Sequence, residues 1–345
     1  MIKDYDNLFK IFYNYSPSLD SVHIANAYSE CKALLHLADV YDALDVVGPR
    51  IDHHLLRFGN RLFKQIAKYP PSYLKLGYLA KSKVIFAEAL IHTVGQWPLP
   101  RPQLQDQIDA VVTDLIEDKY DALEEAKSKV EGRLFRLTLT TSRGDRVTPS
   151  NSFLDWLAIS LFRQWLAENT TKAPASILKD PVRPGSNGTI ASTNTASRSR
   201  PSASTSNRVP PPPASSTTTR LAPGQVQPAS GRIFRLLGST NSSAYLPHDE
   251  LKRFLKHAPE GLYTRDNLRR FERRMDELKN LARDVVKPLT RNTLELDLGT
   301  AGIDSATRSG GRSSSGFGDN SAGGPVGLGY LTCTKVLEED YPWDD

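Results

Sequence analysis

SLDSVHIANAYSECKALLHLADVYDAL, residues 18–44, carries Ile24, Tyr28, Cys31, Leu35, Ala38 and Tyr41 at intervals of three or four. That spacing gathers them on one face of an amphipathic helix. Moving outward, Gly48-Pro49 reads as punctuation, with proline at the first position of a second helix whose stripe is Ile51, Leu55, Phe58, Leu62 and Ile66. Tyr69-Pro70-Pro71 ends that helix. Residues 72–98, SYLKLGYLAKSKVIFAEALIHTVGQWP, predict one or two further helices, apolar nearly all round and so buried on several sides. A long helix fits 103–131, with Leu104, Ile108, Val111, Leu115, Ala122, Ala126 and Val130 as its stripe. GRLFRLTLTT at 132–141 reads equally as a helix continuation or a short strand, before a turn at Arg143-Gly144-Asp145. SFLDWLAISLFRQWLA, 152–167, is too short and too charged to span a bilayer and predicts a buried helix.

Composition divides the remaining chain. Residues 170–232 hold 8 basic side chains against 1 acidic, so much of the formal net charge of +5 belongs to this Ser/Thr/Pro-rich stretch rather than to a folded surface. With few large apolar residues it has little to offset the entropy of ordering, and a disordered linker is expected over 169–230. Order is expected to return at 231–298. There Thr264 caps a helix running to Val286, its stripe is Leu268, Phe271, Met275, Leu278, Ala282 and Val285, and Pro288 marks its end. TLELDL (293–298) and YLTCTKVL (330–337) alternate like strands, separated by a Gly/Ser-rich stretch, 299–325, expected to be disordered. Residues 326–345 thus read as a strand followed by an acidic-aromatic tail, EEDYPWDD. The tail is either a short recognition peptide or a segment docked on the protein's own basic surface, with Trp343 partly buried and the strand packed beside TLELDL.

The residues that could carry chemistry point to none. Asp52-His53-His54 suggests a metal site, but at about 100° per residue the two imidazoles diverge, and Arg50, Arg57 and Arg61 share their side of the helix. A helix surface is the reading. Glu88 and His92, at i and i+4 among apolar residues, are conceivable as an acid–base pair but fit a hydrogen-bonded pair at the core edge better. Cys31 and Cys333 lack metal-ligand or redox spacing and read as small buried hydrophobes. No nucleophile elbow, phosphate loop, HExxH or GxGxxG is present. No catalytic residue, metal ligand or cofactor is therefore expected. Between 265 and 287 the helix carries eight Arg and Lys residues, Arg269 and Arg273 among them, interleaved with acids over more than half its circumference, so nucleic-acid binding is the weaker reading. Without a signal-peptide core or an apolar span, a soluble protein of cytoplasm or nucleus that needs no membrane is expected.

LFKIFYNYSPSLDSVHIANAYSECKALLHLADVYDAL, 8–44, resembles the second half of a BTB/POZ domain: Tyr13-Asn14-Tyr15 matches the family's Y-x-Y segment, and Leu34-Leu35-His36-Leu37-Ala38-Asp39-Val40-Tyr41 running on to Val46 matches its LLxLAxxYxxxxV pattern. Later phrases, AYLP, LKNLARDVVKPLTRNTLELDL, YLTC and DYPW, are similar to fungal BTB-domain proteins of no assigned activity. The resemblance implies a mainly α-helical protein: a partial BTB/POZ-like region at 1–60, BACK-like helices in a helical extension at 61–168, a C-terminal helical region at 231–298, and a few short strands. It further implies a protein-interaction module, an adaptor that recruits substrates to a cullin-type ubiquitin ligase, with a cullin or another BTB protein as partner. Candidate interaction residues are then Tyr13, Tyr15 and Tyr41, with Arg269 and Arg273 on the basic helix and Tyr341, Pro342 and Trp343 in the tail. The chain begins after the family's opening strand and helix, which reads as an internal start or a truncated gene model and leaves homo-oligomerisation and cullin binding open.

Overall fold

Ala27, Cys31, Leu34, Leu35 and Ala38 are buried along one side of a helix spanning Ile24–Val40, so the stripe in 18–44 holds except at its end, where Tyr41 lies past the last turn and is exposed. The computed structural model describes residues 2–105, 107–170, 230–258, 261–296 and 328–343. The linker and the Gly/Ser-rich stretch expected at 169–230 and 299–325 lie outside these residues, apart from 169, 170 and 230. The described residues form twelve α-helices. Among them are α1 (Ile2–Phe12), α2 (Ile24–Val40), α3 (Leu44–Leu56) and α4 (Asn60–Lys68). The helix expected to start at Pro49 in fact starts at Leu44, with Pro49 inside it. Gly48 explains the misreading: a Cβ there would stand 2.6 Å from the Ala80 carbonyl oxygen. The glycine marks a close helix contact rather than a break, and Val47, Ile51 and Leu55 bury the surrounding turns. The break comes instead at Gly59, whose φ of +54° separates α3 from α4.

Pro70 opens α5 (Pro70–Leu79), and Ser82 caps α6 (Lys83–Gln96) by accepting from Ile85 N at 3.2 Å. The two helices approach closely because Gly77 has no Cβ, which would otherwise lie 2.8 Å from Phe86 N. As its apolar circumference predicts, α6 is the most enclosed helix, with Ile85, Phe86, Ala89, Leu90, Ile91 and Val94 all buried. The single helix expected over 103–131 is two, a short α7 (Arg101–Leu104) and α8 (Ala110–Phe135), which starts where Asp109 accepts from Val111 N. Its buried face is Val112, Ile116, Leu123, Val130 and Leu134, while Val111 and Ala122 are exposed. Starting anew at 110 rotates the stripe by about one residue, or 100°. The apolar 152–167 stretch becomes α9 (Phe153–Thr170), burying Leu154, Ala158, Ile159, Phe162 and Leu166.

Three helices follow: α10 (Ser230–Gly238), α11 (His248–Lys256) and α12 (Arg265–Thr290). Thr264 caps α12 as expected, accepting from Asn267 N at 3.1 Å. The helix does not end at Val286 but runs through the exposed Pro288, because the next residue, Leu289, is buried. One hydrophobic core runs from Leu8 through α6, α9 and α12 to Leu331. The strands expected at 293–298 and 330–337 do not form among the described residues, whose β structure is the isolated bridge Thr140–Arg146; Leu298 lies outside them. The two segments do meet. Thr293 N donates to Thr332 O at 3.2 Å, and the Thr293 hydroxyl lies 2.7 Å from both Thr332 O and Thr334 O. Side-chain hydroxyls and the Glu88 carboxylate thus occupy the groups a ladder would use. The burial also differs from the expected alternation: Leu331, Thr332 and Thr334 are buried and Leu337 is exposed. Substituting Gly48→Val should push a branched side chain into the Ala80 backbone and lower stability by about 1–3 kcal/mol, measured as a reduced urea midpoint.

Candidate functional site

The titratable residues singled out in the sequence are drawn into the frame. Asp52 accepts from Ser82 Oγ at 2.5 Å, His54 Nε2 lies 2.9 Å from Asp20 O, and His53 is exposed, so the triplet ties α3 to two neighbours and converges on nothing. No group of three or more metal-ligating side chains occurs among the described residues. Glu88 and His92 sit deeper than a core edge, at 2% and 0% exposure, and are 3.7 Å apart. Each has another partner. The Glu88 oxygens accept from Glu295 N at 2.9 Å and Leu296 N at 3.1 Å, and His92 Nδ1 lies 2.8 Å from the Tyr330 hydroxyl. Burial pushes the Tyr330 hydroxyl up to about 12, so it stays protonated and able to bond the imidazole. Arg235 of α10 completes this staple, donating to Tyr330 O at 2.6 Å and to Leu328 O. Gly95 and Gly231 let residues 328–332 lie flat, since a Cβ at either would come within 2.6 Å of that backbone. The cysteines behave as small hydrophobes: burial raises the Cys31 thiol to about 12 and raises Cys333 as well.

The acidic-aromatic tail docks on the body. Glu338 pairs with Lys83 at 2.7 Å and Asp340 with Lys119 at 2.6 Å, while Lys83 also lies over the Tyr341 ring, 5.0 Å from its centroid. Trp343 meets Phe86 edge-on at 5.1 Å and Tyr341 at 5.5 Å. Tyr341, Pro342 and Trp343 are accordingly half-buried against their own chain.

On α12 most of the basic side chains are already engaged. Arg270 and Arg274 pair with the buried Asp155 at 3.1 and 3.4 Å, Arg283 donates to Ser239 O, and the buried Lys279 donates to Ser242 O and Leu246 O above the Tyr245 ring. Desolvation pulls the Lys279 ammonium down, and the acids Asp276, Glu250 and Glu272 act against that pull. Arg269 and Arg273 remain exposed, one turn apart.

The N-terminal tyrosines belong to a different kind of surface. Asn7, Leu8 and Ile11 bury one side of α1, and Ile2, Tyr5, Phe9 and Phe12 fall within about 80° of one another on the adjoining side, turned away from the core. Ile2 is 88% exposed, Phe9 55% and Phe12 46%, and Phe9 and Phe12 touch edge-on. Tyr13, Tyr15 and Tyr41 are exposed beside this face, Tyr41 edge-on to Tyr5 at 6.2 Å. The loop leading to α2 is fixed rather than loose. Asp20 accepts from Val22 N, His23 N and Asn26 Nδ2, which hold its carboxyl at about 2, and the Asn7 side chain accepts from Ser18 N at 2.7 Å. Ile2, Phe9 and Phe12 were not among the candidates, although the broad apolar surface of IKDYDNLFKIF is visible to the same angular test that was applied to the histidines. No protein-family model, curated protein or solved structure matches the chain.

Substituting Glu88→Gln turns an amide N–H toward one of two backbone N–H groups and should cost about 1–3 kcal/mol, read from chemical denaturation. Removing residues 326–345 takes Leu331 out of the core along with the Tyr330–His92 bond, and should lower the melting temperature; an unchanged melt would contradict the staple.

Proposed function

We propose that the chain is a non-enzymatic protein-interaction module that uses the outer face of α1. The observation that carries this reading is the breadth of the apolar surface of α1: a helix already buried through Leu8 and Ile11 turns Ile2, Phe9, Phe12 and Tyr13 to solvent on the adjoining side. Exposed aromatic residues grouped on a rigid element are the composition of an interface centre rather than of ordinary surface. Tyr13 and Tyr41 flank that face, so two of the residues of the BTB/POZ resemblance lie beside the exposed apolar ones, and Tyr15 is exposed two residues beyond Tyr13. An adaptor recruiting substrates to a cullin-type ubiquitin ligase, in cytoplasm or nucleus, is the specific form the resemblance implies.

A nucleic-acid-associated regulator is the second reading, favoured by Arg265, Arg269 and Arg273, which lie exposed on successive turns of α12. Three phosphate contacts give a log–log salt slope of only about −3. That is a weak basis for a regulator.

Deleting the N-terminal helices would remove core residues, so a surface variant is the better test. The full chain should bind a purified cullin N-terminal domain, and Phe9→Glu/Phe12→Glu should weaken that binding by roughly 30-fold or more, the loss of about 2 kcal/mol expected at an interface hot spot, with an unchanged melting temperature. Equal binding by the variant excludes the α1 face. Absent cullin binding together with salt-dependent capture of duplex DNA or RNA, lost in Arg269→Gln/Arg273→Gln, favours the regulator.

A further inference from the structure

Between α8 and α9 the chain turns back on itself through the Thr140–Arg146 bridge, with Gly144 at φ +89° in the turn. The returning arm of this turn and the first three turns of α9 line an open concavity of about 290 Å³. From α9 come Trp156, Ile159 and Arg163, which at i, i+3 and i+7 share one face of the helix. The turn supplies Thr138, Arg146 and Thr148. Two guanidinium groups therefore line one concavity, and no carboxylate lines it.

Neither arginine is satisfied from within the protein. Arg163 spends one donor on Leu137 O at 2.8 Å, but its Nε is buried and has no acceptor among the described residues. Arg146 is exposed at the rim, where its side chain makes no hydrogen bond or ion pair with any described residue and is free to turn toward a ligand. The half-buried Arg235 is matched by two carbonyls, and Arg274, whose Nε likewise lacks a hydrogen bond, at least faces the carboxylates of Asp155 and Glu277, whereas no carboxylate faces Arg163 in this concavity. Burial and the charge of Arg146 both pull the Arg163 pKa down, the direction expected when two cations share a site without an anion. Planar forks of N–H donors at two points suit an oxyanion with several acceptor oxygens, and phosphate is the group that guanidinium pairs bind bidentately. The remaining wall, Trp156, Ile159, Val147 and Pro149, is apolar. It has nothing to offer a bare hydrated ion but suits an organic substituent, and the volume lies at the lower end for ligand pockets, enough for a phosphate and one ring.

We propose that the Arg146–Arg163 cavity binds a phosphate monoester carried on a small apolar or aromatic group. This site is separate from the α1 face and stands without it. Its ligand is either a free organophosphate or a phosphorylated side chain of a partner, and the chemistry at the guanidinium groups is the same for both.

The test is isothermal titration of the full chain with phenyl phosphate, inorganic phosphate, phenol and a short phosphotyrosine peptide. Phenyl phosphate should bind saturably in the sub-millimolar range, at least tenfold tighter than inorganic phosphate, and phenol should not bind. Arg146→Gln, which breaks no internal bond, should weaken phenyl phosphate at least tenfold without shifting the melting temperature. Arg163→Gln also loses the bond to Leu137 O, so it is read only alongside Arg163→Lys, which keeps a charge and should retain partial binding. Tighter binding of the peptide than of phenyl phosphate assigns the site to a phosphorylated partner, and equal or weaker binding assigns it to a free organophosphate. The proposal is overturned if phenyl phosphate fails to saturate at millimolar concentration, if it binds no better than inorganic phosphate, or if Arg146→Gln binds as the parent does.

Discussion

Glu88 lies inside the most enclosed helix of the chain, where an ionised carboxylate is costly unless every lone pair facing the protein is matched. Its partners are the backbone N–H groups of Glu295 and Leu296, more than two hundred residues away in sequence. The Leu296 N–H would be a buried donor without an acceptor if the carboxylate were absent, so each side removes the penalty of the other. Around this exchange the neighbouring contacts become intelligible. The Tyr330 hydroxyl reaches His92 one turn further along α6, Arg235 collects the carbonyls of the same strap, and Gly95 and Gly231 clear its path. This polar seam adds to the packing of α12 on α8 and α9, which joins the helices of the first half to those of the second in one core.

The seam also accounts for what could and could not be read from the sequence. Periodicity found α2 and α12 because each carries one continuous apolar stripe, buried along its length against several neighbours, and apolar composition found α9 and the enclosure of α6. Periodicity misplaced the start of α3 because Gly48 and Pro49 signal a break locally, whereas a close approach to Ala80, thirty-two residues on, keeps them helical. It rotated α8 because a stripe traced through Leu104 and Ile108 ignores the interruption before Ala110. The strands failed for a reason invisible to alternation, since Glu88 claims the backbone donors of residues 295 and 296 and the Thr293 hydroxyl lies against the carbonyls of Thr332 and Thr334. Docking of the tail was legible in its charge and its aromatic residues. The apolar outer face of α1 was open to the same angular reasoning, but the pairing of Arg146 with Arg163 was not, because a turn, and not a period, brings them together.

Helix α12 shows how far composition misleads when its geometry is unknown. Eight basic residues in twenty-three positions suggest a polyanion partner, yet Arg270, Arg274, Lys279 and Arg283 are spent on Asp155 and on carbonyls of the loop before α11. These cations replace capping groups for irregular backbone. Lys279 and Arg283 order the loop at 239–247, Arg270 and Arg274 tie α12 to α9, and Arg265, Arg269 and Arg273 are left facing solvent.

Residues 328–343 close the core from the far end of the chain, with Glu338 paired to Lys83 across 255 positions. During vectorial synthesis α6 therefore leaves the ribosome long before the segments that satisfy it. At roughly 5–20 residues per second, Lys83 waits on the order of 13–50 s for its partner, and Glu88 waits nearly as long for the backbone of 295 and 296. Over that interval the nascent helices hold an unmatched carboxylate and an uncovered apolar flank, which makes the unfinished chain a natural client for chaperones.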